Sequence, residues 1–139
     1  APQDSYQVEG KAAFTAKLQD LMSMMDALIL CRFAQQGKAV NVTNMVNWLN
    51  CITGREYDIP AFMRTGERIF NLKRLYNTRI GISRKDDFLP PRFLTLNRTA
   101  EDLTNQLPPI GRLLGDYYVH RGWGEDGVPS PEKLRELGL

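Results

Sequence analysis

The side chains that could carry chemistry in this chain of 139 residues are Asp26, Cys31, Cys51 and His120. A cysteine thiolate can ligate a metal, a carboxylate accepts hydrogen bonds, and an imidazole titrates near neutral pH. Two cysteines are too few for a disulfide scaffold, and their spacing is not that of a self-contained metal site. Any metal that this chain contacts must therefore receive most of its ligands from elsewhere.

The spacing of Asp26, Leu30 and Cys31 is the first pattern to consider. Asp26 and Leu30 are four residues apart, so a helix would place them on one face, with Cys31 about 140° round the axis from Asp26. Taken alone, Cys31 is more often a buried core thiol than a ligand, because free cysteine is among the most buried residue types. Asp26 alone is more often a solvated helix residue. Spacing by itself leaves both interpretations open.

His120 is the only histidine, and an acid or base role has to be weighed against a structural one. No carboxylate, serine or cysteine can be assigned to it from spacing, so the structural role is favoured and no catalytic residue is predicted. Trp123, between two glycines, is expected to be a packing anchor or an interdomain contact. Cys51 is expected to be a core residue.

A basic stretch between residues 64 and 92 could suggest nucleic acid binding, since aromatic residues interrupt it. Its members are Arg64, Arg68, Lys73, Arg74, Arg79, Arg84, Lys85 and Arg92. The formal net charge is only +2, however, and acidic residues lie within the same stretch. We expect ion pairs within the domain or toward an absent one, for which Arg64 and Glu67 have helical spacing, and no nucleic acid partner.

The elements that must position these residues are predicted to be helices. A stripe of apolar residues at steps of four and three predicts a first helix over 11–34, ended by Gly37. Thr43 is expected to cap a short second helix, which Gly54 ends in a left-handed conformation. The predicted inner face of this second helix consists of Met45, Val46, Leu49 and Ile52.

A third helix is predicted to begin at Asp58 and Pro60, because proline in the first turn loses no intrahelical hydrogen bond. Gly66 costs about 1 kcal/mol in the middle of this helix, so we expect another segment to pack directly on it. The predicted inner face consists of Phe62, Gly66, Ile69, Phe70 and Tyr76.

Between residues 80 and 107 the helical period disappears, and Pro90-Pro91 disfavour a helix locally. This segment, called the strap, is predicted to be extended, with a helical turn over 101–106, and needs a surface for its apolar residues. A fourth helix follows with apolar residues from Ile110 to Tyr118, and Ser130-Pro131 begin a last short one. The predicted fold class is all-α, an irregular helical domain of about four to five helices with a long extended strap between the third and fourth helices.

Composition limits the broad class of the protein. A hydrophobic fraction of 42% suits one core, so residues 1–139 are predicted to form a single helical domain. No apolar run approaches the roughly 20 residues of a transmembrane helix, and the first residues do not resemble a signal peptide. The expectation is a soluble, cytoplasmic protein without a membrane partner.

Three segments carry a more specific signal: DALILC at 26–31, GERIFNLKRLYNTRIGISRKDDFLPPR at 66–92, and YYVHRGWGEDGVPSPEKLRELGL at 117–139. Together they resemble the C-terminal part of the tungsten-containing aldehyde ferredoxin oxidoreductases. That family carries a GERxxNLxRxxNxRxG pattern followed by DDxLPxR, and an Asp-x-x-Gly-Leu-Cys element. The first two of these patterns are framework motifs in the family and are not catalytic.

The resemblance implies that the chain is the C-terminal fragment of a longer tungsten-pterin oxidoreductase. Such an enzyme oxidises aldehydes to carboxylic acids and passes electrons through a 4Fe-4S iron-sulfur cluster to ferredoxin. The full-length enzyme would carry a tungsten (or molybdenum) bis-pterin together with the cluster. By the resemblance, Asp26 and Leu30 would contact a molybdopterin-type pterin, and Cys31 would be the fourth thiolate of the cluster.

The isolated chain lacks the three other cluster cysteines of the family, so it is expected to be inactive alone and to bind no cofactor. Its expected partners are the missing N-terminal domains, ferredoxin and, as a further option, a second copy in a homo-oligomer. The family glycine of the Asp-x-x-Gly-Leu-Cys element is Ile29 here. Because a β-branched residue disfavours positive φ, we expect either a regular helix through Cys31 or a site built without the bend.

An alternative function remains open from the sequence. The chain could be a non-enzymatic helical interaction module that associates with a cofactor-bearing subunit or with itself. It would associate through the surface that the strap would otherwise cover, and contacts through Phe88, Leu89 or Phe93 are expected.

Overall fold

The computed structural model describes residues 7–36, 40–96 and 107–139, and within these ranges it contains helices and no β-strand. The α-helices are α1 (Lys11–Ala27), α2 (Arg32–Gln36), α3 (Val42–Thr53), α4 (Ile59–Arg79), α5 (Arg92–Thr95), α6 (Ile110–Arg121) and α7 (Pro131–Leu137). The predicted all-α fold class is confirmed. α2 and α5 have only five and four residues, which is too short for sequence periodicity to identify.

Helix α4 is the centre of the arrangement, because α1, α3 and α7 all pack against it, and α1 also packs against α6. The apolar core lies between α1, α3 and α4. It consists of the buried side chains Met24, Met25, Met45, Val46 and Phe62. No helix in the described ranges combines the length and apolar character that a membrane crossing needs.

Gly66 is the point at which α1 and α4 approach most closely. A β-carbon added to Gly66 would lie 2.2 Å from the carbonyl oxygen of Asp20 and 3.1 Å from the side chain of Met24. The backbone of α1 therefore occupies the space that any larger residue would need. The prediction that another segment packs directly on Gly66 is confirmed.

The capping residues predicted within the described ranges are confirmed, with one exception. The side chain of Asp58 accepts a hydrogen bond of 2.7 Å from the amide of Ala61, and that of Ser130 caps α7 in the same way. Gly54 ends α3 with φ of 69°, as predicted. The exception is Thr43, which lies inside α3. The N-cap is Asn41, whose side chain accepts a hydrogen bond from Asn44 and leaves the hydroxyl of Thr43 without that role.

Five residues predicted to be buried are exposed. Two of them, Phe14 and Leu18, belong to the apolar stripe predicted for the first helix, but the buried face of α1 passes through Ala16, Asp20 and Ser23 instead.

Tyr76 is exposed because the buried face of α4 passes through Arg74. Tyr76 comes two residues after Arg74 and therefore points about 200° away from that face. Cys51 is exposed because it lies about 120° round α3 from the buried Met45. Ile52 shares the face of Met45 but is 83% exposed. The spacing of apolar residues predicts which face of a helix can be buried, but it does not predict how much of that face a neighbouring helix covers.

The described part of the strap is less extended than predicted. It contains a 3-10 turn over Arg84–Asp86 and the short helix α5. Pro91 does not prevent α5, because a proline that precedes the first helical residue has no intrahelical bond to lose. The predicted helical turn over 101–106 and the predicted helix end at Gly37 lie outside the described residues.

Replacing Gly66 by alanine should lower the free energy of unfolding by about 3 kcal/mol, because the new methyl group meets backbone of α1 that cannot move aside. Urea unfolding followed by circular dichroism measures this. Gly115→Ala in α6 is the matched control, since nothing lies within 4 Å of a β-carbon there, and it should stabilise the chain by up to about 1 kcal/mol. Equal effects in the two variants would contradict the close approach.

Candidate functional site

The segment from Asp26 to Cys31 does not continue as a helix. α1 ends at Ala27, and the amide of Leu30 donates to the carbonyl of Met25 at 2.9 Å while that of Ile29 donates to the carbonyl of Asp26 at 3.1 Å. This pair of hydrogen bonds is the Schellman motif, which closes a helix through one left-handed residue. The backbone therefore bends sharply just before Cys31.

Ile29 is the left-handed residue of this bend, with φ of 56°, and it is the only residue other than glycine with positive φ in the described ranges. The expectation that a β-branched residue would prevent the bend was wrong. The left-handed conformation costs about 1 to 2 kcal/mol. The two hydrogen bonds and the packing of Leu30 against the core offset this cost and hold the bend in place.

The structure leaves two of the three predicted site residues exposed. Asp26 and Cys31 are both exposed, and Cys31 is a free thiol. The carboxylate of Asp26 lies 3.7 Å from the ammonium of Lys73 on α4. Leu30 is half-buried, since its side chain packs against the core.

Cys31 can supply one thiolate to a metal centre and no more. Within the described part of the chain, no group of three or more histidine, cysteine, aspartate and glutamate side chains is placed to hold a metal ion. An exposed thiol at a bend is nevertheless free to complete a site whose other ligands come from another segment. The donor set therefore fits one ligand of a cluster.

A row of polar residues on α4 connects this helix to the C-terminal part of the chain. Glu67, Asn71 and Arg74 are spaced by four and three residues, so they share one face. Glu67 forms a 2.9 Å ion pair with Lys133, and Asn71 accepts a 2.8 Å hydrogen bond from the indole of Trp123. These are three of the residues that define the GERxxNLxR pattern, so the pattern is a framework motif in this fold.

Arg74 makes the largest number of contacts in this row. Its guanidinium binds both carboxylate oxygens of Asp87 in the strap, at 2.9 and 2.7 Å, and donates to the carbonyl of Gly127 at 2.7 Å. The hydroxyl of Tyr118 donates to the same carboxylate, and the guanidinium lies 4.9 Å over the ring of Trp123. Asp87 thereby holds the strap against α4 and α6.

These contacts shift the pKa values of the groups involved. Burial alone would raise the pKa of Asp87, but the hydrogen bonds from Arg74 and Tyr118 outweigh it and hold that pKa below its usual range. Burial, together with the hydrogen bond to Asp87 and the negative charge there, raises the pKa of Tyr118 to about 12. The three groups stay in one charge state across the physiological pH range, which suits a structural lock.

Arg121 forms a second buried anchor, between α1 and α6, and is only 1% exposed. It donates to the carboxylate of Asp20 at 2.6 Å, to the carbonyl of Ala16 at 3.0 Å and to the side chain of Gln19 at 2.9 Å. Its guanidinium also lies 4.3 Å from the ring centre of Phe70. In the described ranges, no buried side-chain nitrogen or oxygen lacks a hydrogen-bond partner. This ion pair is therefore fully satisfied.

Arginines of the basic stretch also bind the end of α7. Arg64 donates to the carbonyl of Glu136 and Arg68 to that of Gly138, which satisfies carbonyls that the helix leaves free. The ion pairs predicted within the domain are confirmed for Arg74. The pairing suggested for Arg64 with Glu67 is not found, because Glu67 pairs with Lys133 instead.

A cleft of about 510 Å³ lies between α4, the strap and α6. Its apolar lining includes Phe70, Phe88, Leu89, Ile110 and Leu114. Of its charged lining, Arg74 pairs with Asp87 and Lys73 with Asp26, and Asp86 accepts a hydrogen bond from the amide of Ser83. The cleft therefore offers shape and apolar surface, but we assign no ligand to it.

Sequence reasoning missed the anchors made by Asp20 and Arg121. Asp20 lies off the apolar stripe predicted for the first helix, so no local pattern marked it as buried, and its partner is 101 residues away. Trp123 is confirmed as a packing anchor, since it is 9% exposed. His120 is exposed on α6.

Comparison with known proteins adds to this geometry. A family model described as aldehyde ferredoxin oxidoreductase, domains 2 & 3, matches residues 1–139. The chain is 35% identical over 130 residues to a protein of Pyrococcus horikoshii named tungsten-containing aldehyde ferredoxin oxidoreductase, covering 93% of this chain and 21% of that protein. A protein of the same name from Pyrococcus furiosus is 34% identical over 122 residues, covering 87% of this chain and 20% of that protein. The chain thus spans only a small part of these relatives.

Replacing Asp87 by asparagine should lower the free energy of unfolding at neutral pH by about 2 kcal/mol, because Arg74 and Tyr118 lose a charged partner. The depressed pKa of Asp87 means that its stabilising effect is present above its ordinary value of 3.8 and is lost as the pH falls through the lower folded-state value.

Urea unfolding at pH values from about 7 to about 2 tests this dependence. The difference between the parent chain and Asp87→Asn should shrink as the pH falls below the ordinary value. Glu125→Gln is the control, since Glu125 is an exposed acid. A constant difference at all pH values would show that the carboxylate charge of Asp87 is not the stabilising feature.

Proposed function

The chain belongs to the aldehyde ferredoxin oxidoreductase family, and on this basis we propose that it is the C-terminal helical domain of a tungsten-containing enzyme that oxidises aldehydes to carboxylic acids. The electrons leave through an iron-sulfur cluster to ferredoxin. The observation that carries this proposal is the bend at Ile29, which presents Asp26 and Cys31 outward at the end of α1. Residues 1–139 form one helical domain in this proposal.

Cys31 acts as one thiolate ligand of the cluster. Its sulfur is exposed and unpaired, and the bend directs the chain away from the helix just before it. The other three ligands come from the preceding part of the enzyme, because one cysteine cannot complete a four-cysteine site. The tungsten, held by two pterin dithiolenes, supplies the redox chemistry when bound.

Asp26 accepts hydrogen bonds from the N–H groups of one pterin. A carboxylate is an acceptor only, with room for several donors, and the one on Asp26 is exposed. Its 3.7 Å contact with Lys73 is a surface ion pair, which is weak and easily displaced when a stronger set of donors arrives. Leu30 contributes the part of its side chain that the core leaves exposed.

The role of the remaining residues in this domain is to hold the bend in place. The close approach at Gly66 sets α1 against α4, and the Arg121 and Asp20 pair ties α1 to α6. A cysteine that completes a cluster held by another segment has to be positioned accurately, and these contacts supply the rigid support. One cysteine ligand does not make a complete cluster site, so in this proposal the domain turns over only as part of the longer enzyme.

Cys31→Ser in the longer enzyme should remove the 4Fe-4S cluster or leave an incomplete one, because serine is a poor ligand for iron in place of a thiolate. Iron content and the electron paramagnetic resonance spectrum of the reduced protein measure this. Cys51→Ser is the matched control, since Cys51 is also exposed but lies on α3 and outside the bend. A complete cluster in Cys31→Ser would contradict the assignment.

A second candidate function has support from the strap. Phe88, Phe93 and Leu96 are 68%, 53% and 66% exposed, which is unusual for apolar residues so close in sequence. A non-enzymatic module would use this surface to bind a cofactor-bearing subunit or a second copy of itself. The same exposure also follows from the first proposal, in which preceding domains cover the strap.

Sedimentation of the 139-residue chain over a wide concentration range tests self-association through the strap. If the strap is a self-association surface, the average mass should rise with concentration, and the triple variant Phe88→Ser, Phe93→Ser, Leu96→Ser should abolish the rise. The matched control is Ile52→Ser, which removes an apolar side chain that is 83% exposed on α3 and lies outside the strap. A folded chain that stays monomeric at all concentrations would rule out self-association.

A further inference from the structure

Ile29 combines two features that rarely occur together. It holds a left-handed backbone, which isoleucine adopts at a cost, and its side chain is 92% exposed. An exposed side chain gains no packing within the domain that could offset the strain. Strain of this kind persists where the surrounding structure enforces it, and it is concentrated at functional positions.

Three other helix ends in the described residues make the contrast clear. Gly54, Gly122 and Gly138 occupy the left-handed positions at the ends of α3, α6 and α7, with φ of 69°, 66° and 68°. Glycine has no β-carbon and takes this conformation without strain. The chain thus uses the unstrained residue at these three ends and isoleucine at the end of α1. Because the exposed isoleucine side chain has no packing role within the domain, this choice points to a use outside it.

The position of Ile29 indicates what that use is. It lies three residues after Asp26 and two residues before Cys31, at the bend that presents the thiol. On the other side of Cys31, Phe33 is 78% exposed. Two large apolar side chains therefore flank an exposed thiol along the chain, and both are open to solvent in the domain alone.

We infer that Ile29 is a positioning residue that excludes water from the sulfur of Cys31 once the cluster is in place, and so lowers the reduction potential of that cluster. This inference rests on the proposed function. A cluster with four thiolates becomes more negative when it accepts one electron, with no bond formed or broken. Water stabilises the more highly charged reduced form, so a dry environment makes reduction less favourable. Aldehyde oxidation releases two electrons, which pass through the cluster one at a time to ferredoxin.

The test uses the full-length enzyme with its cluster, in which the reduction potential is measured by titration followed by electron paramagnetic resonance. Ile29→Gly keeps the left-handed backbone and removes the side chain, so its potential should shift to a more positive value. Ile29→Val is the matched control, since it keeps a β-branched apolar side chain and should leave the potential unchanged. An unchanged potential in Ile29→Gly would overturn the inference.

Ile29→Asn separates the side chain from the backbone, because asparagine tolerates a left-handed conformation but brings a polar group next to Cys31. Its potential should shift in the same direction as that of Ile29→Gly. A shift in the glycine variant alone would point to backbone freedom and would overturn the shielding role.

The proposed function and this inference can fail separately. If Cys31→Ser keeps a complete cluster, the role proposed for Cys31 as a cluster ligand is wrong, and the inference fails with it. If Cys31→Ser loses the cluster while Ile29→Gly leaves the potential unchanged, Cys31 is a ligand and only the shielding by Ile29 is wrong.

Discussion

The close approach of α1 to α4 at Gly66 is the constraint on which the rest of the structure depends. With only a hydrogen atom at this position, the backbone of α1 lies against α4, and Met24 and Met25 reach the core beside Phe62. The same placement sets Asp20 beside Arg121 of α6. Because a helix is stiff, the contact that fixes the middle of α1 also fixes the position of its C-terminal end. The bend before Cys31 is fixed with it.

Two buried arginines then fix the surroundings of this pair of helices. Arg121 joins α6 to α1, and Arg74 joins α4 to the strap, each through a carboxylate and an aromatic ring. Buried ion pairs contribute little net stability unless every donor is satisfied, but they strongly disfavour alternative packings that leave a charge unpaired. In a domain with a small apolar core, such pairs give the helices one defined arrangement.

The sequence alone predicted those features that depend on neighbouring residues. The caps at Asp58 and Ser130, the close contact at Gly66 and the apolar face of α6 all follow from local patterns, and the structure confirms them. The partner of Arg121 did not follow, because no local rule identifies a carboxylate 101 residues away. At Ile29 the local rule itself was overridden, since hydrogen bonds and the core contact of Leu30 outweigh the backbone preference of one residue. The contacts of Asp26, Leu30 and Cys31 with cofactors stay predictions.

The polar row on α4 has a consequence for the order in which the domain can assemble. Asn71 and Arg74 are buried, yet their partners Trp123 and Gly127 are about fifty residues further along the chain. During synthesis α4 leaves the ribosome well before these partners exist, so its polar face cannot be buried without a desolvation penalty. The three-helix core of α1, α3 and α4 can collapse early, but the polar face of α4 remains exposed to water. Closure of the domain is therefore a late, non-local step, which makes its folding slower than the short helices would suggest.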